Sequence, residues 1–381
     1  MLENMPFESD PSSVFLIDGV VKNYDWGSTE LLPTLLNRPK DDHPWAEYWL
    51  GTHPRGTAVA QLPSGQTPLS ELLPEPLPFL LKFLGIAKPL SVQVHPNLQQ
   101  AREGFERENA QGVPVDSSSR VFVDSSDKPE QICALTEVSA LCGFRSIEEI
   151  RELTAPLSAH LPTNFETPGE AFLALFGLES TSKKQIFEEI ADLNADGVVS
   201  DEWKWVFALH AQRPTDITVL APLYLNLIQL QRHESLFLGA GLIHAYLSGL
   251  AVEVMGASDN VVRAGLTSKH IDQSQLSNLV HKHATPPHIL QGAQSESGWI
   301  TWPSDSEYFA LSYLEITEGK STISGAAFLV CVDGYLTLTN RLSSVTVRSG
   351  GAAFIAAAEL CDISGNGKAY ACGVNPQTTS H

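Results

Sequence analysis

The sequence predicts a mainly β protein interrupted by a helical insertion. Three observations lead there: short apolar runs punctuated by Gly and Pro from Val14 to about Arg145, a change to helical spacing between Ser146 and about Gln212, and a return of strand patterning from about Leu227 onward. At 381 residues, 43% hydrophobic and 18% charged, the chain is long enough for two or three cores and has an ordinary globular balance.

Within the first segment the punctuation is Asp25-Trp26-Gly27, Leu50-Gly51-Thr52-His53-Pro54 and Leu62-Pro63-Ser64-Gly65, turn-forming clusters between apolar runs. Pro78 to Gly85 reads as a strand in which Leu80, Lys82 and Leu84 alternate with Phe79, Leu81 and Phe83. A lysine among leucines either snorkels to solvent or turns its ammonium into a pocket. The stretch from Lys88 to Asn97 alternates polar and apolar at a period of two through its inner half. Successive side chains of an extended chain point to opposite faces, so Ser91, Gln93 and His95 share one face while Val92 and Val94 take the other. Gln93 and His95 side by side offer an amide oxygen and an imidazole nitrogen, two metal-ligand types. Q-x-H is too short to be specific, and taken alone it is better read as a half-exposed strand whose polar face meets water.

In the middle segment, Ser146 with Glu149 and Thr167 with Glu170 are capping-box starts, each followed by apolar residues at helical spacing such as Phe172, Leu173 and Phe176. Asp192-Leu-Asn194-Ala-Asp196-Gly197 imitates the opening of a calcium loop. Its twelfth position, however, is Trp203 where a bidentate Glu is required, so a turn between helices is expected. Strand signals resume at Ser235 to Leu238, His244 to Leu247 and Ala251 to Met255, with a glycine turn at Gly239 to Gly241. The last hundred residues predict a second β-barrel or sandwich: Phe309, Leu311 and Tyr313 on one face, Phe328 to Val332, a turn at Asp333-Gly334, and a strand from Val345. No histidine lies between His288 and His381, which argues against an imidazole metal site there.

A formal net charge of -20 opposes binding to nucleic acid or anionic membranes, so an anionic ligand needs a local basic pocket. Cys133, Cys142, Cys331, Cys361 and Cys372 are odd in number and form no C-x-x-C pair, which suits reduced thiols acting as small buried filler. Glu3, Glu8 and Asp10 stand where a targeting segment would carry basic residues, and no apolar stretch reaches membrane-spanning length. The expectation is a soluble, cytoplasmic protein.

Five blocks in fixed order carry a resemblance. They are Glu47-Tyr-Trp-Leu-Gly-Thr-His-Pro54, Lys88 to Asn97, Asp127-Lys128-Pro129-Glu130, Gly241-Leu-Ile-His244-Ala-Tyr246-Leu-Ser-Gly249, and Asp259-Asn-Val-Val-Arg263-Ala-Gly-Leu-Thr-Ser-Lys269. Together they resemble the type I phosphomannose isomerases, also called mannose-6-phosphate isomerases. The resemblance implies two cupin-like (jelly-roll) β-barrels plus an α-helical domain, and one zinc ion per chain. By position the metal ligands would be Gln93, His95, Glu130 and His244. Ser91, Lys82 and Lys269 match positions used around the sugar phosphate, and Trp26 and Glu47 are implied to line the pocket. For the acid, base and electrostatic roles the candidates are Arg263, Lys128, Tyr246, Glu253 and Asp259. A tyrosine beside a ligand is often only a prop, and Glu253 on an apolar strand can simply pair with a lysine.

The chemistry suits this carry-over. Two imidazoles, an amide oxygen and one carboxylate leave a divalent metal net positive, a Lewis-acid site. An aldose–ketose isomerisation moves a proton between C2 and C1 through an enediol, so it needs a proton carrier and a stabiliser of developing negative charge. Departures from the family pattern are Leu98 after the H-P-N triplet, where a lysine is usual, Asp127 in place of His, and Arg232-His233 in place of a Pro-Gly turn. Leu98 puts in doubt any phosphate contact from that position. His281 and His283 match no motif and are expected at the surface or behind a ligand.

The resulting expectation is a zinc-dependent isomerase interconverting D-mannose 6-phosphate and D-fructose 6-phosphate, in mannose and GDP-mannose metabolism. The alternatives are a non-catalytic sugar-phosphate sensor and an iron-dependent cupin oxygenase, since two histidines and a carboxylate also bind iron. Residues 1–145 and 227–285 would form the catalytic barrel, 146–226 the helical domain and 286–381 the C-terminal barrel. A hexose 6-phosphate is the expected partner, without nucleic acid or membrane, and the chain is expected to be a monomer.

Overall fold

The computed structural model describes residues 14–197, 200–356 and 360–374; Glu3, Glu8, Asp10 and His381 lie outside the described residues. The described strands form two antiparallel sheets. In the first, Ser235–Leu238, Glu130–Ala134, His244–Gly256, Phe79–Ile86 and Glu47–Leu50 lie side by side. The strand His244–Gly256 continues at its start into a second layer, where it pairs with Val138–Phe144 and, through His244, with Val92–Val94. What reads in sequence as two strands is one bent strand.

The bend has a local cause. The pairing register shifts between Tyr246 and Ser248, a bulge, and Gly249 follows at φ +120°. A Cβ on Gly249 would come within 2.5 Å of the Glu137 carbonyl oxygen, so only glycine fits. The bulge also changes which side chains can meet. Tyr246 and Glu253 are an odd number of residues apart and would face opposite ways on a regular strand. With the bend between them, Tyr246 Oη donates to Glu253 Oε1 at 2.9 Å.

The second sheet runs through Ala310–Ile316, Cys361–Gly373, Ala327–Thr339 and Ala352–Ile355. Val14–Asp18 then adds to its edge, with Val14 opposite Ile355, and Val59–Leu62 and Gly65–Pro68 follow. Strands from both ends of the chain therefore share this sheet. The expected turn at Asp333-Gly334 is instead a bulge inside Ala327–Thr339, where Gly334 at φ +68° lets the strand curve without ending. A Cβ there would meet Asn366 O at 2.1 Å.

Phe79, Leu81 and Phe83 on one face of their strand pack with Phe309, Leu311, Phe328 and Phe354 in a shared core, which joins the two sheets. The opposite face, with Leu80, Lys82 and Leu84, lines a cavity. Val92 and Val94 pack into another core, with Phe172, Trp203, Val206 and Leu209 of the helical segment. Its helices begin where the capping residues place them: Ile147–Leu153 after Ser146 with Glu149, and Pro168–Ala174 after Thr167 with Glu170. In the calcium-like stretch the expected turn between helices falls at Asp196-Gly197, later than its first residues. Asp192 and Asn194 belong to the last turn of helix Ser180–Ala195, and Gly197 at φ +75° follows. All five cysteines are buried and unpaired. No described helix is long and apolar enough to cross a membrane.

Candidate active site

Gln93 lies between two strands, opposite Arg263 on one side and His244 on the other. His95, two residues on, keeps the same face, and Pro96-Asn97 then ends the extended run. Asn97 caps helix Leu98–Ala110 in a reciprocal box with Gln100, which leaves Leu98 as the first helical residue, 36% exposed. Glu130 opens its strand opposite Met255. These elements converge on one point: His95 Nε2 is 3.2 Å from Glu130 Oε1, and His244 Nε2 is 3.3 Å from Glu130 Oε2.

Each imidazole is oriented through its other nitrogen. His95 Nδ1 is 2.9 Å from the Asn260 carbonyl oxygen and His244 Nδ1 is 2.9 Å from that of Leu242. Carbonyl oxygens only accept, so both rings carry the proton on Nδ1 and aim Nε2 lone pairs inward. Burial drops the His95 pKa to about 4, keeping it in the neutral, ligating form. Burial opposes ionisation of Glu130, but Lys128 Nζ at 2.9 Å and the two imidazoles hold its pKa well below the usual carboxylate value. His95 Nε2 and Glu130 Oε2 are buried without a hydrogen-bond partner. An unsatisfied buried polar atom costs about 1–3 kcal/mol, and a cation at the convergence point would satisfy both. The ligand atoms of His95, Glu130 and His244 lie within 4.8 Å of one another, a donor set that fits a divalent metal. Gln93 turns its amide nitrogen toward His244 Nε2 at 3.4 Å; a half-turn of the amide presents the oxygen instead.

Above this cluster opens a cavity of about 790 Å³. Trp26, Glu47, Lys82, Ser91, Gln93, Lys128, Glu130, Tyr246, Glu253, Asp259, Arg263 and Lys269 all line it, with His95 and His244 buried behind Glu130. Trp49, Lys82 and Glu253 are direct neighbours on three adjacent strands. Lys82 is 7% exposed, with Nζ 3.2 Å from Glu253 Oε2 and 5.5 Å from the Trp49 ring centroid. Burial works against the Lys82 charge, yet Glu47 and Glu253 outweigh it and raise its pKa. Glu253 is also raised: its burial, reinforced by Glu130, exceeds the help from Lys82. Burial and both glutamates push the Tyr246 phenol up, so it donates to Glu253 and stays protonated. At the other side of the cavity, burial and the nearby Arg263 and Arg55 lower the Lys269 pKa. An anion placed there relieves that crowding.

Some residues that support the cavity wall from behind have no sequence signal of their own. Asn260 is fully buried; its side chain binds Val123 N, Asp124 O and Ser126 O, while its backbone oxygen orients His95. Arg55 Nη2 donates to Asp259 Oδ1 at 3.0 Å, and His53 Nε2 is 3.4 Å from Asp259 Oδ2. Only membership in the motif blocks marks Asn260 and His53, because a lone Asn or His has many uses. Of the departures, Asp127 accepts from Tyr308 Oη at 2.6 Å, and His233 Nδ1 is 3.0 Å from Tyr370 Oη. His281 and His283 are exposed.

The fold and the site define a class: mainly β proteins with a buried two-histidine, one-carboxylate metal site beneath a cation-lined cavity. The family model "Phosphomannose isomerase type I, catalytic domain" matches residues 14–147. The mannose-6-phosphate isomerase of Escherichia coli (strain K12) is 35% identical over 367 residues, covering 89% of this chain and 94% of the relative. That of Mus musculus is 31% identical, covering 91% and 94%. The chain belongs to the mannose-6-phosphate isomerase family. A crystal structure of the Salmonella typhimurium enzyme, described as bound to substrate (f6p) and zinc, superposes with a TM-score of 0.89 at 31% identity, covering 96% of this chain and 100% of that one. Another neighbour is a mannose 6-phosphate isomerase described as holo and zinc bound, with a TM-score of 0.89.

Proposed function

We propose that this chain interconverts D-mannose 6-phosphate and D-fructose 6-phosphate, using one zinc ion held by Gln93, His95, Glu130 and His244. The observation that carries the reading is the pair of unsatisfied buried atoms, His95 Nε2 and Glu130 Oε2, facing His244 at the floor of a cavity with cations on its walls. When bound, zinc supplies a Lewis acid that polarises a substrate oxygen. Ser91, Lys82 and Lys269 bind the phosphorylated sugar, with Trp26 and Glu47 on the wall beside it. Lys269, crowded by Arg263 and Arg55, takes the phosphate end.

Of the carboxylates that line the cavity, Glu253 and Asp259 are the candidates for proton transfer. Both Glu253 oxygens are engaged by Lys82 and Tyr246, and its side chain is 5% exposed. Asp259 is 27% exposed on the cavity wall and is held as a carboxylate by His53 and Arg55 against the effect of its burial. In this reading Asp259 carries the proton between C2 and C1, while Glu253 fixes Lys82 and Tyr246 in place. Arg263 keeps its charge and stabilises the enediol oxygens as negative charge develops. Lys128 holds Glu130 ionised and adds positive potential next to it.

The same reading takes residues 1–145 and 227–285 as a catalytic cupin-like (jelly-roll) barrel that lends Val14–Asp18, Val59–Leu62 and Gly65–Pro68 to the C-terminal sheet. It takes 146–226 as a helical domain and 286–381 as a second cupin-like barrel, in a cytoplasmic monomer. A coupled assay of mannose 6-phosphate turnover, with metal analysis of the same sample, tests the function. Turnover with about one zinc per chain is expected; zinc-loaded protein that binds the sugar without converting it contradicts the reading.

A further inference from the structure

We infer that His53 is a positioning residue for the isomerisation, holding the Asp259 carboxylate toward the cavity through its Nε2. The inference rests on the proton-carrying role proposed for Asp259. His53 follows the strand Glu47–Leu50 in a loop pinned on both sides. Thr52 Oγ1 accepts from Leu77 N at 2.8 Å, and the His53 carbonyl accepts from Gly56 N at 2.9 Å. Its ring is buried, 7% exposed, and meets the Trp49 ring edge-on at 5.3 Å.

The tautomer follows from one contact. The Arg55 backbone N–H donates to His53 Nδ1 at 3.2 Å, so Nδ1 is the unprotonated nitrogen and Nε2 carries the proton. That N–H lies on the Asp259 side, 3.4 Å from Oδ2. The distance is long for a hydrogen bond, as such contacts are before substrate closes a site. Asp259 has a second holder in Arg55, but 65% of the Arg55 side chain is exposed, so solvent screens that pair. The buried imidazole is the firmer of the two. Around the same carboxylate stand Lys128, Lys22 and Tyr24, each close enough to feel its charge or to be felt by it, and none of the three hydrogen-bonds to it. Its backbone N–H is fixed separately, by Asp124 Oδ2 at 2.9 Å. Only the orientation of the carboxylate is left to its side-chain partners, and His53 is the buried one.

Two substitutions separate donor from bulk. An asparagine at this position can still accept from the Arg55 N–H, because its amide atoms fall where the near half of the ring was, but it is too short to reach Asp259. A glutamine extends its amide N–H to about the place of Nε2. In zinc-loaded full-length protein, His53→Asn should lower kcat about ten- to a hundredfold, the usual cost of losing such a support. KM and zinc content should change little, and His53→Gln should recover much of the loss. Placed on Asp259→Asn, His53→Asn should cost nothing further, because the two act as one unit. An unchanged kcat in His53→Asn with a slow Asp259→Asn would overturn the positioning role alone. Additive losses, or loss of zinc, would do the same. Full activity in Asp259→Asn would sink the proton-carrier assignment, and the role of His53 with it.

Discussion

Lys82 and Glu253 face each other across adjacent strands as a buried ion pair, Nζ to Oε2 3.2 Å, with 9% and 5% of their side chains exposed. Removing one partner of such a pair strands the other, at a typical cost of about 3–5 kcal/mol. Lys82→Met should therefore lower the melting temperature sharply as well as activity. The double variant Lys82→Met with Glu253→Gln should regain much of the stability and none of the activity. Thermal unfolding beside kinetics checks both halves; a single variant as stable as the parent would mean the pair does not form.

Loss of one imidazole should remove metal and turnover together. His95→Ala or His244→Ala should lower zinc content and activity in parallel, and Glu130→Gln should do the same because it removes the only anionic ligand. Metal analysis on the purified variants reads this directly. Full zinc with full rate in either histidine variant would mean the metal lies elsewhere.

Without metal, His95 should make the protein acid-sensitive. Its pKa falls from 6.5 to about 4 on burial, so between those values the unfolded chain binds more protons than the folded one. Stability then rises with pH: the contribution of a neutral His95 is complete above pH 6.5 and is lost as pH falls toward 4. Melting temperatures of chelator-stripped protein across this window should show the slope, and His95→Gln should flatten it.

Phosphate recognition should separate from chemistry. A hydrogen bond to a charged group is worth about 1.5–3 kcal/mol, so Lys269→Ala should weaken use of mannose 6-phosphate on the order of ten- to a hundredfold while barely altering the residual turnover of free mannose. Arg263→Ala should act differently, depressing kcat more than it raises KM, because its attraction grows as negative charge develops. A raised KM with normal kcat would move Arg263 to the binding set.

The ligand strand was readable because it is local: a two-residue period puts Gln93 and His95 on one face whatever surrounds them. Capping boxes at Ser146 and Thr167 were legible for the same reason. Partnership across the chain was not. That Lys82 meets Glu253, rather than solvent, depends on strand order, and Val14–Asp18 joins the C-terminal sheet through a pairing separated by more than three hundred residues. A glycine reads as a break in sequence, but Gly249 and Gly334 are bends inside continuous strands, because the partner strands curve with them. His53 shows the remaining limit, since what distinguishes it is which of its nitrogens is occupied by a backbone N–H.

In the proposed function, the buried His95, Glu130 and His244 cluster holds the metal on which isomerisation depends. Zinc titration of chelator-stripped protein, followed by conversion of mannose 6-phosphate to fructose 6-phosphate, tests it most directly. Activity should rise from near zero and saturate at about one zinc per chain. Full activity in metal-free protein, or none at saturating zinc in protein that remains folded, would contradict it.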